Sequence, residues 1–212
     1  MNIKSILAMT DLSETANHAV DGAAILAVQH GALLHLMYAA APGSPACSDA
    51  AGRLAKLATQ TAQRVGVKVH AANRTGGTIA QIAAEARCAD LVVISHRRER
   101  SLSAFIFGTR FERLMRLCSC PVLVTKLESR KSYRRILVAV EFTDTSKSKA
   151  LVNAAFAVDN DSEVELFHAI STANEAKLRS AEVPYYSIKA YRHKSRLHAY
   201  DRMFWLTERR LG

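Results

Sequence analysis

Residues 3–16 read IKSILAMTDLSETA, and this stretch decides the fold. The run from Ile3 to Thr10 is apolar, short and closed by Asp11, the pattern of a buried strand rather than of a helix. Ser13 then offers its hydroxyl to a free backbone N–H and opens a helix. Behind it Val20, Ala23, Ala24, Ala27 and Val28 recur at helical spacing, and Gly31 stands where a left-handed residue closes a helix. Residues 32–38 (ALLHLMY) return as a second strand.

The alternation continues down the chain. Residues 41–45 form a Pro/Gly/Ser loop, and Leu54, Leu57, Ala58, Thr61 and Val65 mark one face of a second helix that Gly66 stops. Residues 67–72 are a third strand, broken at Gly76-Gly77. Thr78 with Gln81 is a capping-box pair that opens a third helix to Arg87. Asp90 precedes the fully apolar strand LVVI at 91–94, and an Arg-rich loop follows. Thr109 with Glu112 caps a fourth helix to Leu117, and PVLVT at 121–125 is a fifth strand. Strands alternating with helices predict a parallel sheet covered on both faces, and right-handed crossovers make it doubly wound. Ligands on such sheets bind beyond the carboxyl ends of the strands. That directs attention to the loops starting at Asp11, Tyr38 and Ser95.

After a polar linker the pattern restarts. Ile6-Leu7 matches Ile136-Leu137 and Asp11-Leu12-Ser13-Glu14-Thr15 matches Glu141-Phe142-Thr143-Asp144-Thr145, at an offset of 130 residues. Leu34-His35 aligns with Phe167-His168 at an offset of 133, which gives the second copy a connection three residues longer. This internal repeat predicts a complete unit at 1–127, a linker at 128–133 and a truncated second unit at 134–212. In the second copy a strand at 135–140, a helix at 146–158 and a strand at 163–170 are recognisable. Half a sheet cannot bury both faces, so this unit is expected to lean on the first or on another subunit. Its tail interleaves Tyr185, Tyr186, Tyr191, Tyr200, Phe204 and Trp205 with Lys and Arg. Ile188, Tyr191, Leu197, Tyr200, Phe204 and Leu211 read as one helical face, packed on the half-domain. Contact with a polyanion, either nucleic acid or a membrane surface, is the other reading.

Composition narrows the function. Of 212 residues, 49% are hydrophobic and 23% charged, which excludes a disordered or collagen-like chain. No run approaches the ~18–20 apolar residues of a bilayer span, and no secretory signal opens the chain, so the cytosol is the expected compartment. The formal net charge is +10, carried mainly by residues 95–116 and 174–212. A solvated basic face and an anionic ligand both fit that balance. Cys47, Cys88, Cys118 and Cys120 lack metal-ligand spacing and read as small apolar residues. The eight His are scattered; His35 and His168 take equivalent repeat positions and read as structural. No phosphate-binding P-loop, HExxH or GxSxG appears, so no catalytic residue and no metal site are assigned.

The ordered set of fragments resembles the universal stress protein family. It comprises Ile6-Leu7-Ala8-Met9-Thr10-Asp11-Leu12-Ser13-Glu14-Thr15-Ala16, Leu34-His35-Leu36, Ala89-Asp90-Leu91-Val92-Val93-Ile94, Gly108-Thr109 and Cys120-Pro121-Val122-Leu123-Val124. The resemblance covers residues 1–126, with the second unit as a shortened tandem copy. It implies strand order 3-2-1-4-5, a stress-response regulatory role, and pairing as a homodimer or intrachain pseudo-dimer through the edge strand Val122–Thr125. It also implies an adenine nucleotide, ATP first, at the strand ends. Thr10 and Asp11 are then candidate residues, with Asp11 beside the adenine and ribose and the backbone of Leu36 against the adenine.

Family members that bind ATP carry G-x2-G-x9-G-[ST] after the fourth strand. Glycines let backbone N–H groups approach the phosphates, and the last pair opens a helix whose N-terminus favours an anion. Here Gly108-Thr109 keeps that pair. The two leading glycines are replaced by Ser95 and Arg98, in the loop Ser95-His96-Arg97-Arg98. A side chain at position 98 crowds the triphosphate path, which predicts weak or absent ATP binding. The alternative is that Arg97, Arg98 and Arg100 hold phosphate by charged hydrogen bonds. No nucleotide site is expected in the second copy, where Glu141 replaces Asp11.

Overall fold

The computed structural model describes residues 3–39, 47–72, 79–95, 116–126, 131–159, 161–170, 173–181 and 183–208. The chain divides into two units, Met1–Ser132 and Tyr133–Gly212. The first contains, in order, β1 (Ser5–Thr10), α1 (Glu14–His30), β2 (Leu33–Tyr38), α2 (Ala50–Val65), β3 (Val69–Ala71), α3 (Ile79–Ala86), β4 (Leu91–Ser95) and β5 (Val122–Thr125). All strand pairs are parallel, and the order is β3-β2-β1-β4-β5. This is the doubly wound five-stranded sheet that the alternation predicts.

Helices bury both faces of the sheet, so the central strands tolerate apolar residues throughout. The first four residues of β4, LVVI, are all buried. α1 packs on β1 and β4 through Ala19, Val20, Ala23 and Ala27, small side chains that permit a close approach. α2 turns Leu54, Ala58 and Thr61 toward the sheet beside β2 and β3. On the other face Leu7, Met37, Val92 and Ile94 meet Ile82 and Ala86 of α3, with Cys118 and Cys120 packed against them. Burial pushes the Cys120 thiol up to about 11, so it stays protonated and behaves as an apolar group. Cys88, at the end of α3, is exposed instead.

Local chemistry sets the element ends. The Ser13 hydroxyl accepts from the Ala16 N–H at 3.2 Å, and Gly31 (φ +60°) and Gly66 (φ +75°) close α1 and α2 in the left-handed region. Val28 departs from the sequence reading: it is 51% exposed, one step past the edge of the packed face. β3 is shorter than the apolar run predicted, Val69–Ala71, although the Lys68 carbonyl before it and the Ala72 N–H after it already bond to β2, at Leu34 and Leu36. The Gly76-Gly77 break, Thr78, and the start of the fourth helix lie outside the described residues; Arg116 and Leu117 are helical.

The second unit contains β6 (Arg135–Ala139), α4 (Thr145–Val158), β7 (Glu163–Phe167), α5 (Ala173–Ser180) and α6 (Tyr185–Thr207). β6 and β7 form a parallel pair, with Ile136 opposite Val164 and Val138 opposite Leu166. In the first unit Ile6 stands opposite Leu34 and Ala8 opposite Leu36. One shift of 130 residues therefore relates both strands of one pair to both strands of the other. This corrects the offset of 133: the partner of Leu34 is Val164, not Phe167, and no three-residue extension exists. His35 corresponds to Glu165, so His35 and His168 are not equivalent.

One face of this pair is covered. Val138, Val140, Val152 and Ala155 form its core, joined by Val164, Leu166, Met203 and Leu206. On the other face Leu137 is 64% and Phe167 52% exposed. The single apolar face expected of the tail splits in two. Ile188, Ala199, Met203 and Leu206 turn inward or lie half-covered, whereas Leu197, Tyr200 and Phe204 are exposed. Ile188 and Leu197 are nine residues apart, which is two and a half helical turns and opposite sides.

Candidate functional site

The strand order reverses between β1 and β4, so the switch-point crevice lies beyond Thr10 and Ser95. Both strand ends are held in register from the opposite edge. The Asp90 carboxylate, just before β4, accepts from the backbone N–H groups of Lys4 at 2.8 Å and Ser5 at 3.0 Å at the start of β1. Ala8 faces Val93, and the same register carried two residues further sets Thr10 level with Ser95. Thr10 also faces Tyr38, and Ser95 faces Thr125. Four neighbouring strands thus end at one level on hydroxyl-bearing residues. The sequence marks Tyr38 as the start of a switch-point loop and Thr125 as the end of the edge strand, but not either hydroxyl as part of this row. The available signal was that each closes its apolar run, ALLHLMY and PVLVT.

Three of these hydroxyls have partners. Thr10 Oγ1 accepts from the Leu12 N–H at 2.9 Å. Tyr38 Oη accepts from the Cys47 N–H at 3.1 Å, and Thr125 Oγ1 donates to the Ile94 carbonyl at 3.1 Å. The turn leaving β1 is equally built: Asp11 Oδ1 accepts from the Ser13 N–H at 2.9 Å, and Leu12 sits at φ +64°. A non-glycine residue in that region is strained, and such strain collects at functional sites. The turn leads straight into the N-terminus of α1, whose N–H groups favour an anion. One turn along α1, Asn17 Oδ1 is buried with no hydrogen-bond partner among the described residues.

Leu36 lies two residues before the end of β2 with its side chain buried, and its carbonyl accepts from the Ala72 N–H at 2.8 Å. Arg97, Arg98, Arg100, Gly108 and Thr109 lie outside the described residues. Among the described residues no group of three or more His, Cys, Asp or Glu side chains is placed to hold a metal ion.

The corresponding corner of the second unit is filled. Val140 stands where Thr10 does and His168 where Tyr38 does. The His168 Nδ1–H donates to the Val140 carbonyl at 2.9 Å, and the ring lies 4.2 Å from that of Phe142. Arg202 of α6 stacks over Phe142 at 4.6 Å and donates to its carbonyl at 2.6 Å.

Comparison with known proteins agrees with this architecture. A universal stress protein from Archaeoglobus fulgidus DSM 4304 superposes with a TM-score of 0.61 at 17% identity, covering 84% of this chain and 70% of that one. A Pseudomonas aeruginosa UCBPP-PA14 protein gives 0.57 at 20% identity over 91% of this chain and 70% of its own. A universal stress protein solved in complex with cAMP gives 0.50 at 19% identity, over 61% of this chain and 100% of that one. At such identities the likeness establishes the fold alone. No curated protein matches the sequence. The model of the universal stress protein family matches residues 2–126, more than half of the sequence, and the chain belongs to that family.

Proposed function

We propose that this protein is a non-catalytic, stress-response binding and regulatory protein whose nucleotide crevice holds ATP weakly or not at all. One observation carries the reading: the sequence has Ser95 and Arg98 at the two positions where the family's ATP-binding motif has its leading glycines. Asp11, with Thr10 before it, and the backbone of Leu36 would line the adenine side, and Ser95 would open the phosphate loop. Gly108-Thr109 would meet a phosphate at a helix N-terminus. The crevice keeps its hydroxyl row and its strained turn, which supports binding of a small polar ligand there. The solved relative with cAMP makes an adenine nucleotide the first candidate. In the alternative reading Arg97, Arg98 and Arg100 replace the lost backbone contacts.

The second unit is proposed as a shortened tandem copy without a nucleotide site. The common shift of 130 residues supports the copy, and Phe142, His168 and Arg202 occupy the corner a ligand would need. The 84% coverage by the A. fulgidus structure, which exceeds the first unit, supports it as well. The proposed boundaries are 1–127, 128–133 and 134–212. The outer edge of β5 is the proposed pairing edge, within a homodimer or an intrachain pseudo-dimer, and the cytosol is the proposed compartment. The test is direct. The protein is purified without added nucleotide, denatured, and the released small molecules identified by mass spectrometry. The expected result is no stoichiometric adenine nucleotide. Stoichiometric ATP would overturn the reading.

A further inference from the structure

The exposed surface of α6 carries cations on its N-terminal half and apolar residues on its C-terminal half, with Arg196 and Trp205, nine residues apart, on opposite flanks of it. Lys189, His193, Lys194 and Arg196 are exposed on the N-terminal half. Leu197, Tyr200, Phe204 and Trp205 follow on the C-terminal half, at 50%, 66%, 58% and 68% exposure. His193, Leu197, Tyr200 and Phe204 recur at intervals of four, three and four, so they share one side of the helix. The inward side is already used by Ile188, Ala199, Met203 and Leu206. The outward apolar residues are therefore surplus to the unit's own core. They continue into an open depression of about 500 Å³, bordered by Leu166, Tyr200, Asp201, Met203, Phe204 and Thr207.

We propose that this side of α6 docks, lying flat, on an anionic lipid surface. Charge decides the occupant. A second copy laid parallel would set three cations against the same three cations, and laid antiparallel would set them on Leu197, Tyr200 and Phe204 with Asp201 as the main compensating acid. A nucleic acid would satisfy the cations, but Leu197 has no π-face on which a base can stack. The headgroup zone of an anionic bilayer meets both halves at once: Lys189, Lys194 and Arg196 reach lipid phosphates, while Tyr200, Phe204 and Trp205 enter the interface, where aromatic rings are favoured. Among the described residues no helix is long and apolar enough to cross a membrane, so the contact is in-plane. This proposal does not depend on the nucleotide crevice.

Trp205 is the only tryptophan in the sequence and flanks the patch, next to Phe204, so it reports the contact. The full chain is mixed with vesicles of phosphatidylcholine with and without phosphatidylglycerol, then followed by tryptophan emission and co-sedimentation. Blue-shifted emission and sedimentation with the anionic vesicles only, reversed by salt, is the expected result. Each cation near such a surface is worth roughly a fivefold gain in partition, so Lys189→Gln/Lys194→Gln/Arg196→Gln weakens it about a hundredfold. Leu197→Ser/Phe204→Ser removes the blue shift while circular dichroism stays unchanged, because the replaced side chains are exposed. No response of wild type to anionic vesicles overturns the proposal. So does an emission change with a single-stranded oligonucleotide but not with vesicles, which assigns the patch to nucleic acid. A blue shift that grows with protein concentration alone assigns it to self-association and overturns the proposal equally.

Discussion

At Asn17 a buried carbonyl oxygen has given up water without gaining a donor among the described residues. Leaving a buried acceptor unmet costs about 1–3 kcal/mol, so Asn17→Leu is expected to raise stability by about 1 kcal/mol in chemical denaturation. A loss of stability would show that the crevice supplies Asn17 with a partner. Gly31→Ala meets no atom within 4 Å, yet its φ of +60° carries strain for any L side chain. It should cost about 1 kcal/mol. His35 makes a pH-dependent prediction. It stands beside His70, with ring centroids 5.8 Å apart. Burial first, then the neighbouring His70, lower its pKa below 6.5, against an opposing pull from Glu85. The folded state therefore favours the neutral ring. Its contribution is present above pH 6.5 and is lost as pH falls through the lowered folded value. His35→Gln should flatten the pH dependence of the melting temperature below that point; an unchanged profile would remove His35 as its source. At this scale the sequence was readable where chemistry is local. Ser13 and Gly31 act on backbone groups three or four residues away, whereas the environment of His35 depends on two other elements.

Elements were legible when their own hydrophobic period announced them. β1, β2 and β4 are continuous apolar runs, and α1 and α2 carry both a stripe and a left-handed closing glycine. α5 was missed because its Asn-Glu-Ala-Lys-Leu run has good helix formers but too few apolar positions to set a face. α6 was read as one apolar face because two stripes on opposite sides overlap in sequence, and only the packing of Met203 and Leu206 tells which is inward. The register of β7 slipped by three for a related reason: Leu-His and Phe-His look alike, but the ladder pairs Ile136 with Val164. α4 gives a prediction at this scale. Asp144 caps it by accepting from the Ser146 and Lys147 N–H groups, both at 3.1 Å. Hydrogen bonds from Ser146 and Lys147 hold its carboxyl at about 2, below the ordinary 3.8. The cap's charge-dependent support is present above pH 3.8 and is lost as pH falls toward 2. Amide exchange at Ser146 and Lys147 should quicken in Asp144→Ala. Asp144→Asn should keep the protection at neutral pH and lose its acid dependence. Equal exchange in all three proteins would contradict the cap.

The molecule contains a five-stranded sheet in its first unit and a two-stranded sheet in its second. The first can bury both faces and the second cannot. A two-stranded sheet is marginal in water on its own. Residues 1–132 expressed alone should unfold cooperatively, whereas residues 133–212 alone should show no cooperative transition. A cooperative melt of the short piece would refute its dependence on a partner. The site was half legible at this scale. The switch-point rule points to the loops at Asp11, Tyr38 and Ser95, but the alignment of Thr10, Tyr38, Ser95 and Thr125 at one level emerges only from the ladder register. The proposed loss of ATP binding rests on Ser95 and Arg98 in place of the motif's two leading glycines. Thermal unfolding at millimolar ATP compares wild type with Ser95→Gly/Arg98→Gly, since a bound ligand raises stability by RT ln(1 + [L]/Kd). The account predicts no shift in wild type and a clear upward shift in the double variant; a strong wild-type shift that the glycines abolish would contradict it.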